Sequence, residues 1–146
     1  MNVITSFKEK KRQKEIAYER KMLRELSLEQ LRKRVHEYFA DFYRNHRVFP
    51  SSVEDSCIDI AIEAFLLGAS YSRFGYYGEP VAMVRHRCTK EEKYLVDTLF
   101  DVLCFWGNID DSLINESLYY ACEHYVGNWW IEGFEKGRKR WRLKLH

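Results

Sequence analysis

Between Ser56 and Pro80 the chain reads SCIDIAIEAFLLGASYSRFGYYGEP, with few polar positions and those regularly placed. At about 100° per residue, Ile58, Ala61, Ile62, Phe65 and Ala69 share one side of a helix, and Ile60, Ala64, Leu67 and Tyr71 cover the other. Ser56, Asp59, Glu63 and Ser70 fall together on a narrow polar seam. A helix that is apolar nearly all round belongs inside a bundle, so the pattern predicts a central buried helix over 53–72. FGYYGEP then breaks it. Gly75, Gly78 and Pro80 predict a turn, crowded by Arg73, Phe74, Tyr76 and Tyr77.

The flanking segments are amphipathic. Residues 5–26 predict a charged helix whose apolar edge (Ile16, Met22, Leu23, Leu26) lies in its second half, with 1–14 expected to fray. Ser27 with Gln30 reads as a capping box. It opens a helix to about Asn45 with Leu28, Leu31, Val35, Tyr38, Phe39 and Phe42 on one face. HRVFPSS is a loop, and Ser52 and Asp55 are cap candidates for the central helix. VAMV at 81–84 is expected as a turn of helix or an extended segment, because a lone strand has no partner. Thr89 with Glu92 forms a second capping box, opening a helix to about Trp106 with Leu95, Leu99, Val102, Leu103 and Trp106 inward and Gly107 and Asn108 at its end. The last segment is capped by Asp110, Asp111 or Ser112 and turns Ile114, Leu118, Ala121, Cys122, Tyr125 and Trp129 inward. Its stripe then shifts to Trp130, Phe134, Gly137, Trp141 and Leu145, which predicts a bend or interruption near Gly127. Together these elements predict an all-α single domain over 1–146, a bundle of about five helices.

Composition supports a core: 46% of the 146 residues are hydrophobic and 16% aromatic. No window is apolar and long enough to span a bilayer, and the charged N-terminus lacks the apolar stretch of a secretory signal. Cys57, Cys88, Cys104 and Cys122 form no CxxC pair, so reduced thiols and a cytoplasmic location are expected. The net charge of +2 hides a strong polarity. Residues 1–47 carry 13 Lys/Arg against 7 acids, 91–131 carry 1 against 8, and 132–146 carry 6 against 2. Basic ends around an acidic interior predict terminal helices packed over an acidic bundle, or a basic patch for an anionic partner.

A carboxylate-bridged metal site in a helical bundle needs Glu-x-x-His. The residues three before His36, His46, His86 and His124 are Lys33, Tyr43, Met83 and Ala121. No metal and no cofactor is therefore expected, a looser site from Asp59, Glu63 and His124 being the minor alternative. Neither a nucleophile elbow nor a glycine-rich phosphate loop occurs, so no catalytic residue is assigned. Asp59 and Glu63 are four apart and share a helix face. Buried together, one would have its pKa raised and suit a general acid. Paired to Arg73, Arg85 or another arginine they would order the bundle, and that is the expected arrangement.

The candidate functional cluster is Asp59, Glu63, Arg73, Tyr76, Tyr77, Glu79, Trp129 and Trp130. Its aromatics are expected to close one end of the bundle, or, if exposed, to meet a protein partner. The candidate basic patch is Lys136, Arg138, Lys139, Arg140, Arg142 and Lys144, with Trp141 between them. Such a stripe neutralises phosphates, touches an anionic membrane surface, or is simply solvated.

Three stretches carry a resemblance: CIDIAIEAFLLGASYSRFGYYGE at 57–79, KRQKEIAYERKMLRELS near the start, and NWWIEGFEKGRKR near the end. They resemble a small uncharacterised family from Bacillus and its relatives whose members carry the name YbaK, unrelated to the aminoacyl-tRNA deacylase that shares it. The resemblance covers nearly the whole chain. It implies a one-domain, soluble, bacterial cytosolic protein and assigns no site residue. The expectation is a non-enzymatic interaction or regulatory protein whose partner is another protein or a second copy of itself, as a homodimer. Nucleic-acid binding by the basic ends and a small-molecule enzyme using Asp59 and Glu63 are the alternatives.

Overall fold

A computed structural model describes residues 3–43, 51–107 and 112–144. Among them every regular element is helical: α1 (Val3–Leu23), α2 (Leu28–Phe39), a 3-10 turn (Ala40–Tyr43), α3 (Ser51–Ser70), α4 (Ser72–Tyr76), α5 (Val81–Arg87), α6 (Thr89–Gly107) and α7 (Ser112–Arg142).

The sequence of α3 makes it the inner helix. Val53, Cys57, Ile58, Ile60, Ala61, Ala64, Phe65, Gly68 and Ala69 are all buried, while Asp59, Glu63 and Ser70 stay on the exposed seam. Its main neighbour is α7, and the two run in the same direction. Tyr125 donates its hydroxyl proton to the Cys57 carbonyl at 2.8 Å. Gly133 faces the Phe65 carbonyl, Gly137 faces Ser72, and Trp141 stacks on Tyr76. Alanines and glycines at this contact let the backbones approach closely. α6 returns antiparallel along α7, with Tyr119 donating to Asp97 at 2.9 Å and the Cys104 thiol facing Asn115 at 3.8 Å.

The main core gathers Met22 of α1, Leu31, Val35 and Phe39 of α2, the apolar faces of α3 and α6, and Leu118 to Trp129 of α7. A smaller cluster holds Val84, Cys88, Trp130 and Phe134. Phe39, Phe65 and Phe134 are fully buried, each contributing about 2–3 kcal/mol by leaving water.

The helix count exceeds five because the predicted turn is itself largely helical. SRFGY continues as α4, since Gly75 leaves room for the Phe134 ring against its backbone. The break falls at Gly78, whose φ of 101° favours glycine. Pro80 then starts α5, its carbonyl accepting from the N–H groups of Met83 and Val84 at 3.0 and 3.1 Å.

α7 passes through Gly127 as one helix. The shift of stripe marks a change of neighbours: residues up to Trp129 face the main core, and Trp130 and Phe134 face the smaller cluster. Ser27 caps α2, accepting from the Gln30 N–H at 3.4 Å. Thr89 does not cap α6. It is the first helical residue and its hydroxyl donates to the His86 carbonyl at 2.7 Å, while Glu92 binds Arg85. Leu28, Trp106 and Ile114, expected inside, are 53%, 47% and 43% exposed. Each lies close to a helix end, beyond the cover of its neighbours. The expected reach of the second helix to Asn45, the caps at Asn108, Asp110 and Asp111, and Leu145 lie outside the described residues.

Candidate interaction surface

α4 has only five residues, so its side chains take their places from what surrounds them. Ser72 opens it, fully buried, with its hydroxyl donating to the Ala69 carbonyl at 2.6 Å. The Tyr18 hydroxyl donates to the same carbonyl at 3.1 Å and lies 3.3 Å from Ser72 Oγ. α1 is thereby tied to the joint between α3 and α4. Burial raises the pKa of Tyr18, opposed by the Ser72 hydroxyl, the Arg140 charge and the Trp141 indole.

Just after α1, the Glu25 carbonyl accepts from Lys136 Nζ at 3.3 Å and its carboxylate accepts from Arg140 Nη1 at 3.2 Å. The two basic ends of the chain therefore lie side by side. Lys136 and Arg140 hold the corner between α1 and α2. Arg138 pairs with Glu135 at 2.6 Å and lies over the Phe134 ring at 5.6 Å. Lys139, Arg142 and Lys144 remain exposed.

At this corner Tyr76 stacks on Trp141, with ring centroids 6.2 Å apart and planes at 29°. The Arg73 guanidinium sits 5.8 Å from the centre of the Trp141 ring. Tyr77 stands edge-on to Tyr76 at 5.2 Å and is 74% exposed. Arg73, Tyr76 and Tyr77 of the expected cluster thus come together, but Trp141 joins them instead of Trp129 and Trp130. Trp129 is in the main core, against Phe65 and beneath Arg34, whose guanidinium is 4.0 Å from the ring centre. Arg34 also pairs with Glu132. Trp130 is in the smaller cluster, stacked on Phe134 at 5.2 Å. Adjacent helical residues point about 100° apart, so the two tryptophans serve different clusters.

Trp141 lies on the same stripe as Phe134 and Gly137, and that series is visible in the sequence. Its meeting with Tyr76 depends on the parallel register of α3–α4 with α7, which no local pattern carries. Glu79 also stands apart. Its carboxylate is gripped by Arg87 through contacts at 3.0 and 2.9 Å, and Arg87 covers Phe74 at 4.3 Å. That pair fastens the link between α4 and α5.

Asp59 and Glu63 are exposed, and neither is paired to the arginines expected of them. Arg85 binds Glu92 at 2.9 Å and lies against the backbone of Gly127, and Arg73 covers Trp141. The seam faces water, which screens the repulsion between two carboxylates without a counter-cation. Glu63 borders an open hollow of about 400 Å³ with Leu67, Lys90, Glu91 and Tyr94, and Asp59 does not reach it. A larger hollow of about 760 Å³ lies between α5, α6 and α7. Of the charged groups lining it, Arg85 pairs with Glu92, and Lys93 pairs with Asp97 at its edge, which also accepts from Tyr119; Glu123 and His86 line it as well. Those two donors pull the Asp97 pKa down.

The thiols are no readier for chemistry. Burial pushes Cys57 up to about 12 and Cys88 up to about 11 from an ordinary 9.0, so both are protonated and poorly nucleophilic near neutrality. Among the described residues no group of three or more His, Cys, Asp or Glu is placed to hold a metal ion. None of the described helices is long and apolar enough to cross a membrane.

Over residues 1–146 the sequence matches the family described as "Protein of unknown function (DUF2521)". It is 32% identical over 146 residues to the uncharacterized protein YbaK of Bacillus subtilis (strain 168), covering 99% of each chain. No solved structure matches.

Proposed function

The chain belongs to the DUF2521 family, whose description assigns no activity, and we propose that it is a non-enzymatic interaction protein. Its partner is held on the corner formed by α4, the end of α7 and the docked part of α1. One observation carries this reading: Arg73 and Tyr76 both engage Trp141, beside a Tyr77 that is 74% exposed. Trp, Tyr and Arg are the residues that dominate binding energy at interfaces. Here they are pre-ordered by one another, so little side-chain entropy remains to be lost on binding. The protonated thiols and the water-facing Asp59 and Glu63 support a role in binding more than one in catalysis. A cytoplasmic place of action belongs to the same proposal, supported by four cysteines present as free thiols.

A photo-activatable side chain placed at Tyr77 in a Bacillus host tests it. A discrete adduct is expected on illumination, absent when the probe replaces Tyr120, which is also exposed but belongs to the first half of α7. Equal, diffuse labelling from both positions would contradict the assignment.

A further inference from the structure

The chemistry of the corner narrows its partner. Arg142 and Lys144 stand exposed within about one helical turn of Trp141, with exposed Arg73 beside the ring; Lys139, two residues before Trp141, points to the other side of α7. On α1, Lys14 and Lys11 lie four and seven residues before Tyr18, on the stripe by which the helix docks. α1 is exposed from Phe7 to Ala17, a run of about 16 Å, so these lysines continue that stripe beyond the bundle. The carboxylates Glu25, Glu79 and Glu135 around this end are each held by an arginine: Arg140, Arg87 and Arg138. Exposed Glu15 and Glu19 flank Tyr18 on α1, so the positive surplus lies around the aromatic rings, on Arg73, Arg142 and Lys144.

Cations alone would suit any polyanion. The accessible ring of Tyr77 beside the Tyr76–Trp141 stack adds flat apolar surface, which an acidic peptide does not need and a nucleobase fits. A duplex buries the faces of its bases, whereas a single strand offers them for stacking. We propose that this corner binds single-stranded nucleic acid, with the sugar–phosphate backbone along Lys11, Lys14, Arg73, Arg142 and Lys144 and a base stacked on Tyr77. The inference rests on the corner being an interaction surface and names what it holds.

The test is fluorescence anisotropy of labelled oligothymidylate and oligouridylate of about 20 nucleotides with the full chain, over a salt series rising from about 0.05 M. For four or five phosphate contacts, log K is expected to fall with log salt at a slope of about −3. Tyr77→Ala should weaken binding about tenfold at every salt without changing that slope. Arg142→Gln should make the slope shallower by about 0.7. Both side chains are exposed, so the variants should keep the wild-type circular dichroism.

The proposal is overturned by no binding at the lowest salt, by Tyr77→Ala binding as well as wild type, or by a duplex binding as tightly as the single strand. Preference for polyglutamate or anionic vesicles over the oligonucleotides overturns it as well. Oligonucleotide failure together with a protein adduct at Tyr77 leaves the interaction surface standing with a protein partner. Failure of both removes the surface itself.

Discussion

Gly68 and Gly133 make a reciprocal contact where α3 lies against α7: the Trp130 carbonyl occupies the space of a side chain on Gly68, and the Phe65 carbonyl occupies that space on Gly133. Both obstacles are backbone of a neighbouring helix, so neither can swing aside as a side chain does. The whole parallel pairing, and with it the meeting of Tyr76 and Trp141, depends on this approach.

Gly133→Ala should therefore destabilise the fold by about 2 kcal/mol net, overpacking outweighing the gain of about 1 kcal/mol from helix propensity. Gly68→Ala should cost a similar amount. Gly127→Ala should be far milder, because its methyl group meets only the tip of the Arg85 side chain. Urea unfolding midpoints would show the order, and a Gly133→Ala variant as stable as wild type would exclude the backbone contact.

Tyr125 is fully buried and donates to the Cys57 carbonyl at 2.8 Å. Tyr125→Phe keeps the ring and leaves that carbonyl without the hydroxyl donor, an expected loss of about 1–2 kcal/mol. Chemical denaturation compares the two proteins directly, and an unchanged midpoint would argue that the hydroxyl contributes nothing.

Alkaline stability should be governed by the buried thiols. Burial raises Cys57 to about 12 and Cys88 to about 11 from 9.0, and burial raises Cys122 as well. In the unfolded chain these thiols ionise as pH passes their ordinary value, while the folded thiols keep their protons. The unfolded state then binds fewer protons, so stability is full below about pH 8.5 and falls above it. The slope is about 1.4 kcal/mol per pH unit for each thiol. Denaturation midpoints across this range should show the fall, and Cys122→Ala should flatten it. In a native thiol-labelling assay, partly exposed Cys104 should react before the other three.

Tyr18 is the main polar tie between α1 and the rest of the fold, through Ala69 and Ser72. Tyr18→Ala should loosen α1 while α3, α6 and α7 keep their packing. Trypsin should then cut within α1 about tenfold faster, as local opening becomes easier, with little change in Tm. A Tm that falls in step with the cleavage rate would mean that α1 and the core unfold together.

The sequence was most informative where one residue's environment repeats along a helix. The apolar surround and polar seam of α3, the Leu31–Val35–Phe39 face of α2 and the inward stripe from Leu118 to Trp129 follow from periodicity, since each is set by one helix turning one way. The candidate site was only half legible. Arg73, Tyr76 and Tyr77 are neighbours in the chain and lie together in the fold, whereas Trp129 and Trp130 sit in two separate buried clusters and Trp141 stands beside Tyr76.

An all-helical chain, its inner helix and its two basic ends are therefore determined by local pattern, because hydrophobic period and charge act within a few residues. Which partners meet was decided only by tertiary structure. The glycine contacts hold α3 and α7 in parallel register, which carries Trp141 to Tyr76, while the placing of α1 and α5 brings Arg140 to Glu25 and Arg85 to Glu92. Contacts between residues distant in the chain depend on backbone approach and helix direction, and a one-dimensional pattern holds neither.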